Sequence, residues 1–375
     1  GAEVSVVSMP GTSGTLLVPS SDGTEVYVFD STGRHLSTKT GVKGTVKYTF
    51  SYDGSGRLTT IVDQYSNTTT LTYAGNNLSS ITSPYGQVTA IGVDANGYIS
   101  SITNPASQTH SITYYSGGLL HTFQKPGGVT STMTYDNVGH LTSDSSSAGS
   151  GFSISSVPDS NGWNVEATTA EGVTRALDLV IYDPSGSYTR NESGPYTSSY
   201  TALRGDFGVS YEHGTDSAGV SWTRNYTSDP RFAQTGYFPN YESWVTPSLN
   251  TSLQTTRAAT LSDPNNPFSV VNLTETSVLN STKTTTVGYL ASNSKYTVTS
   301  PVGRKTYVAI DANERVSAEQ YATYTPVSYT YDTRGRLSTI SQSAPRTTTL
   351  AYNTAGFLSS VTNALSQATS FTYDA

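Results

Sequence analysis

Residues 48–52 read Y-T-F-S-Y and residues 327–331 read V-S-Y-T-Y, large side chains alternating with small ones. A period of two marks a strand, because successive Cβ atoms point to opposite faces. The first run ends in Asp53-Gly54-Ser55-Gly56, and alternation resumes as R-L-T-T-I over 57–61. An Asp at the start of a tight turn can accept backbone N–H groups, and a Gly at its end supplies positive φ, so each run predicts a strand, a hairpin turn and a returning strand. About ten residues on comes a second turn: SPYG at 83–86, NPAS at 104–107, KPGG at 125–128 and SPVG at 300–303. Pro at the second position with Gly or a small polar residue later is β-turn chemistry.

The phrase repeats. Taking its aromatic residue as anchor, Tyr52, Tyr73, Val93, Tyr114 and Tyr135 follow at intervals of 21, 20, 21 and 21, and Tyr289, Ile310, Tyr331, Tyr352 and Tyr373 are each 21 apart. Four residues after the anchor stands Gly56, Gly139, Gly335 or Gly356; six after it stands Leu58, Leu141, Leu337 or Leu358. Asp53, Asp136 and Asp332 follow their tyrosines directly, and Arg57 and Arg336 share one register with Arg34, Tyr98, His140 and Phe357. A fixed period of this kind predicts a quasi-one-dimensional repeat protein.

Successive hairpins joined by short turns predict an all-β fold: one antiparallel strip, a single layer thick, coiled into a partial shell or tube. Such a strip buries no thick core. Its stability is expected from same-face ladders, Tyr beside Tyr and Leu beside Leu, each cross-strand pair contributing roughly 0.2–1 kcal/mol. At two strands per repeat and about 4.8 Å per strand, the chain gives a strip on the order of 170 Å long, about one turn of a ring roughly 55 Å across. The rhythm divides the chain into N-terminal repeats (1–143), a divergent section with longer loops that holds all three Trp (144–266), and C-terminal repeats ending in an incomplete one (267–375).

The motif Y-D-x-x-G-R-L, best matched at Tyr52–Leu58 and Tyr331–Leu337, resembles the YD-repeat or RHS-repeat family. That family includes RHS polymorphic-toxin shells, shell subunits of insecticidal toxin complexes, wall-associated proteins and teneurins. The resemblance covers roughly 25–145 and 285–375. It implies a β-strip coiled into a hollow cocoon, often around a toxic C-terminal domain.

Composition narrows the function. The chain has 375 residues, 13% of them charged, with 27 Tyr, 33 Gly and a net charge of −7. Low charge with abundant Tyr and Gly fits strands and turns rather than helices or disorder. The acidic balance argues against a nucleic-acid partner, and no apolar run of about 18 residues predicts a membrane span. The absence of Cys removes disulfides, thiol catalysis and thiolate metal sites. Seven N-x-S/T sequons, from Asn67 to Asn280, favour an extracellular or cell-surface location weakly.

Catalytic chemistry is not indicated. The five His are scattered without metal spacing. Glu212, His213 and Asp216 form the densest polar cluster and read as a solvated loop ahead of a metal site. Asp183-Pro184-Ser185-Gly186 has the spelling of a self-cleaving element of RHS shells but lies mid-chain. No catalytic, cofactor or metal residue is assigned. The candidate ligand platform is Trp222 and Trp244, whose indoles suit sugar rings. The expected function is a non-enzymatic shell, tube or fibre segment, self-associating through its unpaired terminal strand or continuing into a longer chain. A carbohydrate-binding adhesion module and a toxin-encapsulating shell segment are the alternatives.

Overall fold

The computed structural model describes residues 9–10, 14–159, 161–182, 187–194, 197–205, 208–343 and 346–373. Asp183–Gly186 lie outside them. One antiparallel sheet of 33 strands runs through the whole described chain. Each strand pairs with the strand before and the strand after it in sequence, from Met9–Pro10 to Ala368–Ser370. The sheet is therefore a pure meander, as short connections require. Among the described residues there is no α-helix, and Ala291–Asn293 forms a 3-10 turn.

Strands of the regular repeats are short: Val46–Tyr52 has 7 residues and Leu358–Thr362 has 5. Those of the divergent section lengthen to 13 in Ala233–Val245 and 12 in Asn250–Leu261. The wall stays one layer thick. Its accessible surface is 21605 Å², about 1.5 times the roughly 14,000 Å² expected of a compact monomer of 39.8 kDa. The largest buried apolar group, Leu17, Val26, Val28 and Phe232 with Phe268 against it, is a local plug where two passes of the strip meet.

Those meetings reveal the coil. Asn67 donates from Nδ2 to the Arg334 carbonyl at 3.1 Å, and Gln87 donates from Nε2 to the Ala355 carbonyl at 3.1 Å. The hairpin turn after the sixth strand thus lies on the turn after the twenty-ninth. Twenty-three strands at about 4.8 Å give a circumference near 110 Å and a ring roughly 35 Å across. The strip coils more tightly than the 55 Å ring expected from one turn of the whole chain, and its two ends overlap.

Candidate functional site: the seam between coil passes

Among the described residues, hairpins of the Y-D-x-x-G type are built the same way. Asp53 Oδ1 accepts the N–H groups of Ser55 at 2.9 Å and Arg57 at 3.0 Å, while Arg57 Nε donates to Oδ2 at 2.8 Å. Gly56, at φ 79°, donates its N–H to the Asp53 carbonyl at 2.9 Å. Tyr52 then pairs with Leu58 across a one-residue bulge. Asp332, Gly335, Arg336 and the Tyr331–Leu337 pair repeat this arrangement, with Arg336 Nε 2.8 Å from Asp332 Oδ2. Asp136 caps Val138 and His140 at 2.9 and 2.8 Å, with Gly139 at φ 92° and Tyr135 opposite Leu141. Asn353 replaces the acid in the turn holding Gly356, and Tyr352 pairs with Leu358.

The carboxylates are held below their ordinary range. For Asp53 the Arg57 N–H and guanidinium are responsible. For Asp332 burial pushes the other way and is outweighed by the hydrogen bonds and charge of Arg336.

Rungs between repeats differ from a Tyr-on-Tyr ladder. The anchor hydroxyls of Tyr73, Tyr331, Tyr352 and Tyr373 donate to the carbonyls of Leu58, Val316, Leu337 and Leu358 at 2.7–2.9 Å. Each carbonyl belongs to the residue six past the preceding anchor. The ring face is covered by the residue five past the preceding anchor, which follows the turn Gly or, for Arg315, Glu314: Arg57 lies 4.5 Å over Tyr73, Arg315 4.1 Å over Tyr331, Arg336 4.3 Å over Tyr352 and Phe357 4.8 Å from Tyr373. A guanidinium already fixed to its Asp is a better rung than a second phenol, because it adds cation–π attraction without loss of further rotamers.

The seam joins the two edges of the strip. Tips of second-type turns in the early pass seat on Y-D-x-x-G turns of the late pass. The Tyr65 ring lies 4.9 Å from the Arg315 guanidinium, and a Cβ on Gly335 would come within 2.4 Å of that ring. Tyr85 sits 5.0 Å from the Arg334 guanidinium and 5.7 Å from that of Arg336, and a Cβ on Gly356 would meet it at 2.8 Å. Here Gly is required twice, for positive φ and for the seat. Glu314 Oε1 accepts the hydroxyls of Thr40 and Thr45 at the next position along.

The seam starts in a buried ionic knot. Arg231, 4% exposed, grips Asp229, 1% exposed, through Nε and Nη2 at 2.9 and 2.8 Å. It also donates to the carbonyls of Gly41 at 2.8 Å and Gly23 at 3.1 Å in the other pass. Arg257 adds a bond to Asp229 Oδ2 at 2.9 Å and one to Glu275 at 2.7 Å. Burial raises the Asp229 pKa, but Arg231 and Arg257 more than reverse it and hold the carboxyl below its usual range. Beside the knot a cavity of about 450 Å³ is lined by both passes, among them Gln64, Tyr289 and Glu314. Gln64 Oε1 and Tyr289 Oη are buried there without a hydrogen-bond partner, which suits internal water. The knot's residues carry no repeat signal, and sequence reasoning did not single them out.

Trp222 and Trp244 stand directly opposite each other on Ser221–Asp229 and Ala233–Val245. Two residues along the same face, Arg224 pairs with Glu242 at 2.8 Å. Together with Thr223 they line a cleft of about 180 Å³. Glu212, His213 and Asp216 do not converge. Glu212 accepts the Tyr200 and Tyr226 hydroxyls at 2.9 Å each, His213 Nδ1 meets the Trp222 carbonyl at 3.1 Å, and Asp216 caps a turn. Among the described residues no cluster of metal-ligating side chains occurs, and no helix is long and apolar enough to cross a membrane.

Comparison with known proteins places this architecture. Teneurin-3 of Danio rerio is 36% identical over 88 residues, which are 23% of this chain and 3% of that protein. A crystal structure of TcdB2-TccC3-Cdc42 aligns over 97% of this chain and 24% of its own at 12% identity and a TM-score of 0.43. A crystal structure of TcdB2-TccC3 aligns over 92% and 25% at 12% identity and a TM-score of 0.36. The chain thus spans a small part of the relatives it matches. The Teneurin YD-shell profile matches residues 13–375, nearly its whole length, and this chain belongs to that family.

Proposed function

We propose that the chain is a non-enzymatic wall segment of a secreted or cell-surface YD shell, built to hold a curved barrier rather than to turn over a substrate. The observation that carries this reading is the seam: two passes of one strip, 190 to 267 residues apart at these contacts, are locked by Arg–Tyr seats and a buried ionic knot. Isolated hairpins need no such lock; a wall does. Residues 1–143 and 267–375 form its regular courses, and 144–266 a divergent panel with longer strands. Negative-stain class averages test the proposal. A hollow annulus roughly 35 Å across at the backbone supports a wall, and a solid particle overturns it.

The Trp222–Trp244 cleft favours a second reading on the same wall, a subsite for a neutral sugar. Two indoles flank it and an Arg–Glu pair supplies donors and acceptors. A glycan array should show binding that Trp222→Ala and Trp244→Ala abolish and Trp163→Ala leaves intact. Equal loss in all three variants, or no binding at all, removes this reading.

A further inference from the structure

The seam that joins the two passes leaves both of its chemistries repeated on open edges. On the late pass the second-type turns Ser300–Arg304 and Asn363–Gln367 have the hydrogen bonding of the Tyr85 turn. Val302 and Leu365, at the positions equivalent to Tyr85, are 75% and 77% exposed, and Tyr324 on the intervening turn is 67% exposed. The early pass presents its own hairpins on the same edge of the strip as the occupied seats, the Y-D-x-x-G turn of Gly56 and the two-residue turn of Gly75 and Asn76. Arg34 lies over the Tyr52 ring as Arg315 lies over that of Tyr331, its Nη2 3.0 Å from where a Cβ on Gly56 would sit, and Arg57 donates to the Gly75 carbonyl. Nothing lies within 4 Å of where a Cβ on Gly75 would sit.

We propose that these two edges dock head to tail between copies of this chain. The tips Val302 and Tyr324 of one copy, two strands apart, seat on the Arg34/Gly56 and Arg57/Gly75 turns of the next, and Leu365 continues the same edge four strands on. The occupant follows from continuity with the internal seam, which shows what this edge accepts: a turn tip with a flat ring, laid against a Gly and near a guanidinium. Spacing matches as well. Tips and seats both recur every two strands, about 9.6 Å apart, so several engage in register once one does. The two surfaces differ, so the contact is heterologous and builds an open stack of coils rather than a closed dimer. The proposal rests on the shell reading and names the surface through which such a wall extends.

Sedimentation velocity over a concentration series tests it on the full chain. Self-association is expected, weakened about tenfold or more by the tip pair Val302→Asp with Tyr324→Asp. The seat-blocking pair Ser55→Trp with Asn76→Trp, on the Gly56 and Gly75 turns, should have the same effect. Mixing the tip variant with the seat variant should give heterodimers that grow no further, since each retains one working edge. A wild type that stays monomeric at high micromolar concentration overturns the docking, as does association indifferent to both pairs, which would point to the terminal strand instead. If Thr68 and Thr333 remain adjacent in that monomer, the shell reading survives the failure.

Discussion

Replacing Arg231 by Met removes the guanidinium at the centre of the ionic knot while keeping most of its apolar stem. Three losses follow. Asp229, 1% exposed, keeps only Arg257 as a cationic partner, and the carbonyls of Gly23 and Gly41 each lose a donor. Removing one member of a buried pair costs about 3–5 kcal/mol. Arg257 retains part of the compensation, so the lower end, about 3 kcal/mol, applies. This energy sits in the seam and not in the hairpins, whose ladders are local. Hydrogen exchange read by mass spectrometry separates the two. A 3 kcal/mol loss accelerates exchange through local opening by on the order of a hundredfold. The acceleration should fall on peptides covering 20–24, 40–45 and 229–232, with strands 88–135 unchanged. Unchanged exchange at 20–24 and 40–45 would refute the knot as a lock. Uniform acceleration across the sheet would refute the separation of seam from strip.

Other substitutions probe single parts of the wall. Gly33 and Gly335 both have positive φ, at 84° and 79°, but only Gly335 seats a tyrosine. Gly33→Ala should cost about 1–2 kcal/mol and Gly335→Ala a further 1–3 kcal/mol from overpacking, a difference that chemical denaturation can resolve. Tyr73→Phe removes the hydroxyl bond to the Leu58 carbonyl and should cost about 0.5–1.5 kcal/mol, with the far-ultraviolet circular dichroism unchanged. Acid should loosen the wall. The folded pKa values of Asp30, Asp53, Asp136, Asp229, Asp311 and Asp332 all lie below the ordinary carboxylate range. Their contribution is full above the unfolded value near 4 and is lost as pH falls through the lower folded values. Melting temperatures flat from pH 7 to 5 and falling below about pH 4 are expected; a fall centred near pH 6 would implicate histidine instead.

The all-β strip was legible because its determinants are local. Alternation, the Asp that caps its own turn and the Gly at positive φ all act within about ten residues, and a period of 21 copies them along the chain. What joins residues some 270 apart was not legible. Tyr65 and Tyr85 look like turn-tip residues, and only the coil shows that they seat on Gly335 and Gly356. The rungs were half visible: Arg57 and Arg336 share a register, yet nothing local says that each stacks on the next tyrosine instead of leaving that face to a phenol. Asp229 and Arg231 sit in the stretch S-D-P-R-F, which reads as a plain turn; their burial comes from the other pass of the strip. The ring's diameter depends on twist and coil per hairpin, which the spacing of motifs does not set.

The account turns on one juxtaposition, the turn holding Asn67 against the turn holding Arg334. The chain has no cysteine, so Thr68→Cys with Thr333→Cys places two spin labels without further changes, and pulsed dipolar spectroscopy reads their separation. The coiled wall predicts one narrow distance within about 25 Å. An uncoiled strip would hold the labels on the order of 110 Å apart along the sheet, and a trace without short-range modulation would contradict the coil.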